Sequence, residues 1–289
     1  MFYEIILYIF FFILLIDIII SINNNNNLKK ILDKNKKINN INIIVARYNE
    51  DLKWTLKEPF NKFKYIVYNK GTNENFEKSR ASKIIKLENV GREFHTYLYH
   101  ITENYNDLAD INIFLPGSLE INIKNSIAKR MLSKIIKYNQ AFIISPYIPY
   151  VNKVFYNYKF DYYKNTSSFN DNKNRNKVYE SKLRPYGVWH NKYLKEDFHY
   201  LTQFGIFSLN KNDIIKNPLS KYKMFLTQLS ENINPEEGFF CEISVYLLFT
   251  PFKNTVVEIY YNDFLKYLIK ILPELPLLLY RFKDGFVNV

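Results

Sequence analysis

The sequence predicts an α/β domain, a mostly parallel mixed sheet flanked by helices, preceded by one N-terminal transmembrane helix. Three observations predict it. Short β-rich apolar runs alternate with helical patterns along most of the chain. Those runs are nearly continuous Ile and Val, as in strands covered on both faces. The segment Met1–Ile22 carries no Lys or Arg and only two acids, Glu4 and Asp17.

At 1.5 Å per residue, Met1–Ile22 is long enough to cross a hydrocarbon core about 30 Å thick. A cleavable signal is the alternative, but the extreme N-terminus is acidic and bulky Ile and Phe run to the end where small residues would be cut. Asp17 would cost about 2.5–3.5 kcal/mol at the bilayer centre, and less near the end of the run where it stands. Lys29, Lys30, Lys34, Lys36 and Lys37 follow the segment. The positive-inside rule then puts the C-terminal domain on the cytoplasmic side of a single-pass membrane protein. The Asn23–Asn27 tract marks residues 23–40 as a polar linker. Residues 41–289 are left for a single α/β domain. One cysteine, Cys241, excludes an intramolecular disulfide.

Ile41–Ala46, Tyr65–Tyr68, Lys83–Leu87, Ile111–Leu115, Ala141–Ser145 and Gly205–Leu209 read as strands. Phe94, Leu98, Ile101 and Tyr105 recur at helical spacing and make one apolar stripe. Ile127, Met131 and Ile135 do the same in a helix from about Ile121 to Tyr138. Leu219–Leu229, Phe239–Phe249 and Asn262–Leu272 complete the helices. Asn165–Lys177 is polar and reads as a surface loop.

Open α/β sheets hold ligands beyond the carboxyl ends of their strands. The first strand runs out into Arg47, Asn49, Glu50 and Asp51, and the second into Asn69, Lys70 and Gly71. Arg47 and Lys70 suit phosphates; Asn49, Glu50 and Asp51 suit ribose, a base or a metal. Gly91 and Arg92 open a helix, where free N–H groups and the dipole favour an anion. Glu93, Tyr97, His100 and Asn104 form a polar stripe on that helix, with His100 a candidate general base. Glu237 and Glu242 stand in a later helix as candidate bases, although acids at a helix start are also ordinary dipole partners. The net charge of +12 would draw membranes or phosphorylated ligands. Its Lys are dispersed and no nucleic-acid-binding motif appears, so nucleic acid comes last among partners.

Together VARYNEDLKW (Val45–Trp54), YNKG (Tyr68–Gly71), NVGREFHTYLYHITENYNDLAD (Asn89–Asp110) and IFLPGS (Ile113–Ser118) resemble the family called domain of unknown function 3431. PYGVW at Pro185–Trp189, Gly205–Leu226 and NPEEG at Asn234–Gly238 fit the same resemblance, which covers roughly Ile41 to Phe249. That family looks distantly like GT-A glycosyltransferases. The resemblance therefore implies a GT-A or Rossmann-like fold and a membrane-anchored, glycosyltransferase-like protein with a nucleotide sugar and a glycan acceptor as partners. The strand ending at Pro116-Gly117-Ser118 lacks the Asp-x-Asp with which metal-dependent members of such enzymes hold their ion, so the cofactor, a divalent metal among the candidates, stays open. Relatives often have His where this chain has Phe239, and Glu-Arg where it has Glu242-Ile243. The second expectation is accordingly a non-catalytic, membrane-tethered module that binds glycans or acidic partners.

Overall fold

The computed structural model describes residues 39–146, 148, 150–160, 178–202 and 204–259. Met1–Ile22, most of the linker, the Asn165–Lys177 loop and the Asn262–Leu272 helix lie outside the described residues. Among the described residues no helix is long and apolar enough to cross a membrane. The chain divides into two units, Met1–Ile38 and Asn39–Val289, and everything below concerns the second.

Five strands form the main sheet: β1 (Ile41–Arg47), β2 (Tyr65–Asn69), β3 (Ala81–Lys86), β4 (Ile111–Pro116) and β6 (Phe207–Asn210), in the order β3-β2-β1-β4-β6. The first four are parallel, and β6 runs antiparallel to β4. Strand order reverses at β1, which has β2 on one side and β4 on the other. Ile43–Val45 of β1 and all of β4 are buried, as their continuous apolar runs require. The edge strand β3 is mostly exposed, so the expected cover on both faces fails there. β5 (Ala141–Ser145) does not join this sheet. It pairs in parallel with β7 (Thr255–Ile259), a strand missed in the sequence. Ser208 Oγ links the two sheets, accepting from Phe142 N at 2.7 Å and donating to Phe142 O at 2.8 Å.

Helices cover the sheet. In α1 (Arg92–Glu103) the predicted stripe of Phe94, Leu98 and Ile101 is buried. In α2 (Asn122–Tyr138) Met131 and Ile135 are buried with Ala128 and Leu132. Shorter helices follow: α3 (Val151–Val154), α4 (Tyr186–Tyr193) and α5 (Lys211–Ile215). α6 (Leu219–Leu229) has the bounds its sequence gives. The expected Phe239–Phe249 helix is two, α7 (Glu236–Ile243) and α8 (Val245–Phe249). They break at Ser244, whose hydroxyl bonds the buried Tyr186 hydroxyl at 2.7 Å. An aromatic core ties these layers: Phe114 stacks on Phe207 at 4.9 Å, and Tyr97 meets both rings. Each such pair adds about 0.5–1.5 kcal/mol beyond its buried area. α1 packs against both α6 and α7, which brings the Asn89–Asp110 and Asn234–Gly238 motifs together.

Candidate functional site: an inward-turned rim and an acidic cluster

The β1–β2 register sets Arg47 beside Asn69. Arg47 is fully buried. Its Nη1 donates to Asn69 Oδ1 at 2.6 Å and to Tyr48 O at 3.2 Å, and its Nε to Glu50 O at 2.7 Å. The Phe76 ring lies 3.8 Å from its guanidinium carbon. Burial lowers its pKa, although Glu50 and Glu74 pull the other way, and a guanidinium stays charged. Asn69 also gives its Nδ2 to Glu74 Oε1 at 2.8 Å.

Lys70 is buried and donates from Nζ to Val90 O at 2.5 Å and Arg92 O at 2.6 Å. Burial brings its pKa down to about 7. It clamps the start of α1 rather than facing a phosphate. Gly71 lets two loops touch, since a Cβ there would lie 1.5 Å from Tyr48 O. Gly91, at φ 59°, is jammed against the end of α6: its N–H bonds Asn232 O at 2.8 Å and a Cβ would meet Leu229 O at 2.3 Å. The packing there belongs to the protein chain, not to an approaching anion. Asn49 accepts from Asn73 N at 3.3 Å. Asp51 is exposed and pairs with Lys53 at 3.3 Å; the Lys53 N–H bond holds its carboxyl below the usual range. Lys70 is joined through the main chain to Arg47 and through its Nζ to Arg92 O, but the Arg47 and Lys70 side chains are turned into the protein, and the Arg92 side chain has other partners.

His100 is out of reach of solvent. It shares a hydrogen bond with the Tyr68 hydroxyl through Nδ1 at 2.9 Å and lies against Phe114. Burial lowers its pKa to about 4, so it is a neutral core residue, which corrects its reading as a general base. Glu237 is half-buried on α7 and makes a charge contribution at Cys241. Its neighbour Glu236 is the anchored one: fully buried, it accepts from Phe160 N and Ser181 N at 2.9 Å and pairs with Arg184 at 3.2 Å.

A second group gathers where α1, α2 and α7 meet the ends of β1 and β4. Arg92 reaches back with its Nη1 3.3 Å from Asn234 Oδ1, its Nε 3.5 Å from Glu93 and its guanidinium 4.6 Å above Phe239. Glu242 projects from α7. Burial first, and then the charge of Glu93, push its carboxyl up to about 7, against the pull of Arg92 and Lys124. Burial would also raise Glu93, but Arg92, Lys124 and Lys70 outweigh it and hold Glu93 below the usual range. Two carboxyl groups that titrate apart in this way are the pattern of an acid–base pair. Both keep part of their surface open to water.

The Tyr97 hydroxyl is buried beside them and has no hydrogen-bond partner among the described residues. Glu93, Glu242 and Glu50 all press its pKa upward, after burial. Glu50 accepts from Tyr48 N at 2.7 Å and lies against Gly117 at the end of β4, where a Cβ would fall 2.7 Å from its Oε2. Burial raises its pKa as well. Lys124 reaches in from α2 and donates to Ser118 Oγ at 2.7 Å. Gly205, at φ 64°, closes over the group, because a Cβ there would sit 3.2 Å from Glu93 Cγ. Glu93, Tyr97 and Lys124 were not nominated from sequence. The Glu93–Tyr97 spacing on the polar stripe of α1 was the one signal available. Among the described residues no group of three or more His, Cys, Asp or Glu is arranged to hold a metal ion.

Fold and site together define a mixed α/β protein with a parallel-dominated sheet and a split carboxylate pair at its carboxyl edge. The chain belongs to the family described as protein of unknown function (DUF3431), whose model matches residues 43–256. The match spans every residue of both the rim and the cluster. No curated protein matches the chain.

Proposed function

We propose that this is a membrane-anchored, glycosyltransferase-like protein of GT-A or Rossmann-like fold that binds a nucleotide sugar at the carboxyl ends of β1 and β4. The single observation carrying the reading is the Glu93–Glu242 pair. Glu242, with a pKa near 7, takes the proton of an acceptor hydroxyl. The acceptor oxygen bonds to the anomeric carbon while that carbon's bond to the diphosphate oxygen breaks. Arg92 and Lys124 stand beside the pair to offset the charge of the departing diphosphate. Glu93, held ionised, keeps Glu242 basic enough to act near neutrality. The Met1–Ile22 segment would hold the domain at a membrane surface where acceptors are presented.

The test is release of nucleoside diphosphate by the full chain in detergent, from a panel of nucleotide sugars with and without Mg²⁺ or Mn²⁺. Turnover should rise with pH through about 7 as Glu242 loses its proton. Glu242→Gln should lower it by a factor on the order of 100 or more. Turnover indifferent to Glu242→Gln would reject the role. Binding without turnover would favour the second reading, a tethered binding module, which the inward-turned Arg47 and Lys70 and the presence of Phe239 support.

A further inference from the structure

The cover over Arg47 carries one more inference. Arg47 Nη2 is buried and has no acceptor among the described residues. An arginine with no exposed surface and an unpaired N–H group is costly to keep folded. What lies over it is not core. It is the surface segment between Gly71 and Arg80, most of whose residues are exposed. Its ends are tied down, by Lys86 Nζ to Gly71 O at 2.6 Å, Lys64 Nζ to Ser79 O at 3.1 Å and Tyr65 N to Arg80 O at 3.0 Å, and Lys78 and Lys86 pair with Glu74 at 3.7 and 3.8 Å; the exposed middle has fewer ties to the rim. Phe76 rests on the guanidinium face, Glu74 takes Asn69 Nδ2, Glu77 N bonds Asp51 O at 2.8 Å, and Asn73 N meets Asn49.

Lifting this segment would uncover three features at one spot: a flat cationic face, the free Nη2 of Arg47 and the Nδ2 of Asn69. The two edge groups are donors. A ligand that replaces the segment must therefore bring a flat ring and acceptor oxygens or nitrogens.

We infer that Arg47 and Asn69 form a nucleobase subsite for a carbonyl-bearing base, and that Phe76 and Glu74 occupy it in the empty protein as stand-ins for that base. The ring of the base takes the place of Phe76 on the guanidinium, and its carbonyl oxygens take the places of Glu74 and of the missing acceptor. Bases with an amino group on that edge present a donor to donors and are disfavoured. This rests on the nucleotide-sugar reading only for what is attached to the base.

The experiment is calorimetry of the full chain in detergent with UMP, GMP, CMP and AMP, with inorganic diphosphate alongside. UMP and GMP should bind about tenfold tighter than AMP. Phe76→Ala should tighten UMP several-fold, because the competing ring is gone and the open form is more populated. Arg47→Lys should remove the preference, since a point charge does not offer a flat face or a second edge. Should that variant fail to fold, amide exchange on the unaltered chain decides: the Glu77 amide should exchange faster with UMP bound. Four equal affinities, unchanged or weaker UMP binding by Phe76→Ala, or slower Glu77 exchange with UMP would each overturn the subsite. If the bases bind alike while Glu242→Gln still abolishes transfer, this inference fails and the transfer reading stands. Base preference without Glu242 dependence gives the reverse.

Discussion

The rim at the ends of β1 and β2 and the cluster between α1 and α7 are built from the same kinds of residue, yet they behave oppositely. At the rim, Lys70 gives its ammonium to two main-chain carbonyls, and Asn69 links Arg47 to Glu74. In the cluster, burial and the charge of Glu93 hold the Glu242 carboxyl up while cations hold Glu93 down, and Tyr97 has no partner among the described residues. The rim holds chain to chain. The cluster keeps a titratable group near neutrality. A polar residue at a strand end is therefore not a ligand contact until its neighbours are counted.

The sharpest way to break this contrast is at the rim's glycines. Gly71→Ala puts a carbon 1.5 Å from Tyr48 O, so main chain must move. The expected result is loss of cooperative unfolding or at least about 4 kcal/mol of stability, read by denaturant titration. An alanine tolerated there would mean the two loops are not locked.

Lys70→Met comes next. It leaves the carbonyls of Val90 and Arg92 without their donor and should cost about 2 kcal/mol at pH 8. The pH dependence sharpens the test. Lys70 titrates near 7 when folded and 10.5 when unfolded, so between those values the unfolded chain binds more protons and stability rises with pH. Lys70→Met should remove that rise.

Glu242→Gln should act with the opposite sign. The folded carboxyl titrates near 7 against 4.5 unfolded, so the native chain binds the extra proton in that window and stability falls as pH rises through it. The variant should melt higher at pH 8 by about 1–2 kcal/mol, given partial solvent access, and match the unaltered chain at pH 4.5. A group whose loss stabilises the fold while abolishing turnover is retained for chemistry. Asp51→Asn is the smallest change: an exposed pair with Lys53 should contribute under about 0.5 kcal/mol, measured by thermal melting.

Much of the scaffold was legible in the sequence. Continuous β-branched runs located β1, β2, β4 and β5, and the Phe94–Tyr105 stripe located α1, because burial on one or both faces imposes those patterns. α4 and the break at Ser244 were not legible. α4 mixes polar His190, Asn191 and Lys192 with its aromatics, and its buried Tyr186, Gly187, Trp189 and His190 do not make an apolar stripe; the break at Ser244 sits among apolar residues and depends on a hydroxyl contact to distant Tyr186. β7 was hidden because its partner, β5, is far away in the chain. The site was legible in part. Glu242 and Arg92 were nominated and stand in the cluster. Glu93 was passed over as a helix-stripe residue, since its nearness to Glu242 comes only from α1 packing on α7. Arg47, Lys70 and His100 were nominated by type, but type does not report burial.

The most direct measurement is a carboxyl-carbon NMR titration of Glu242 in the full chain, repeated in Glu93→Gln. A midpoint near 7 that falls when Glu93 is neutralised is the predicted result. A midpoint near 4.5 in both proteins would contradict the paired-carboxylate account.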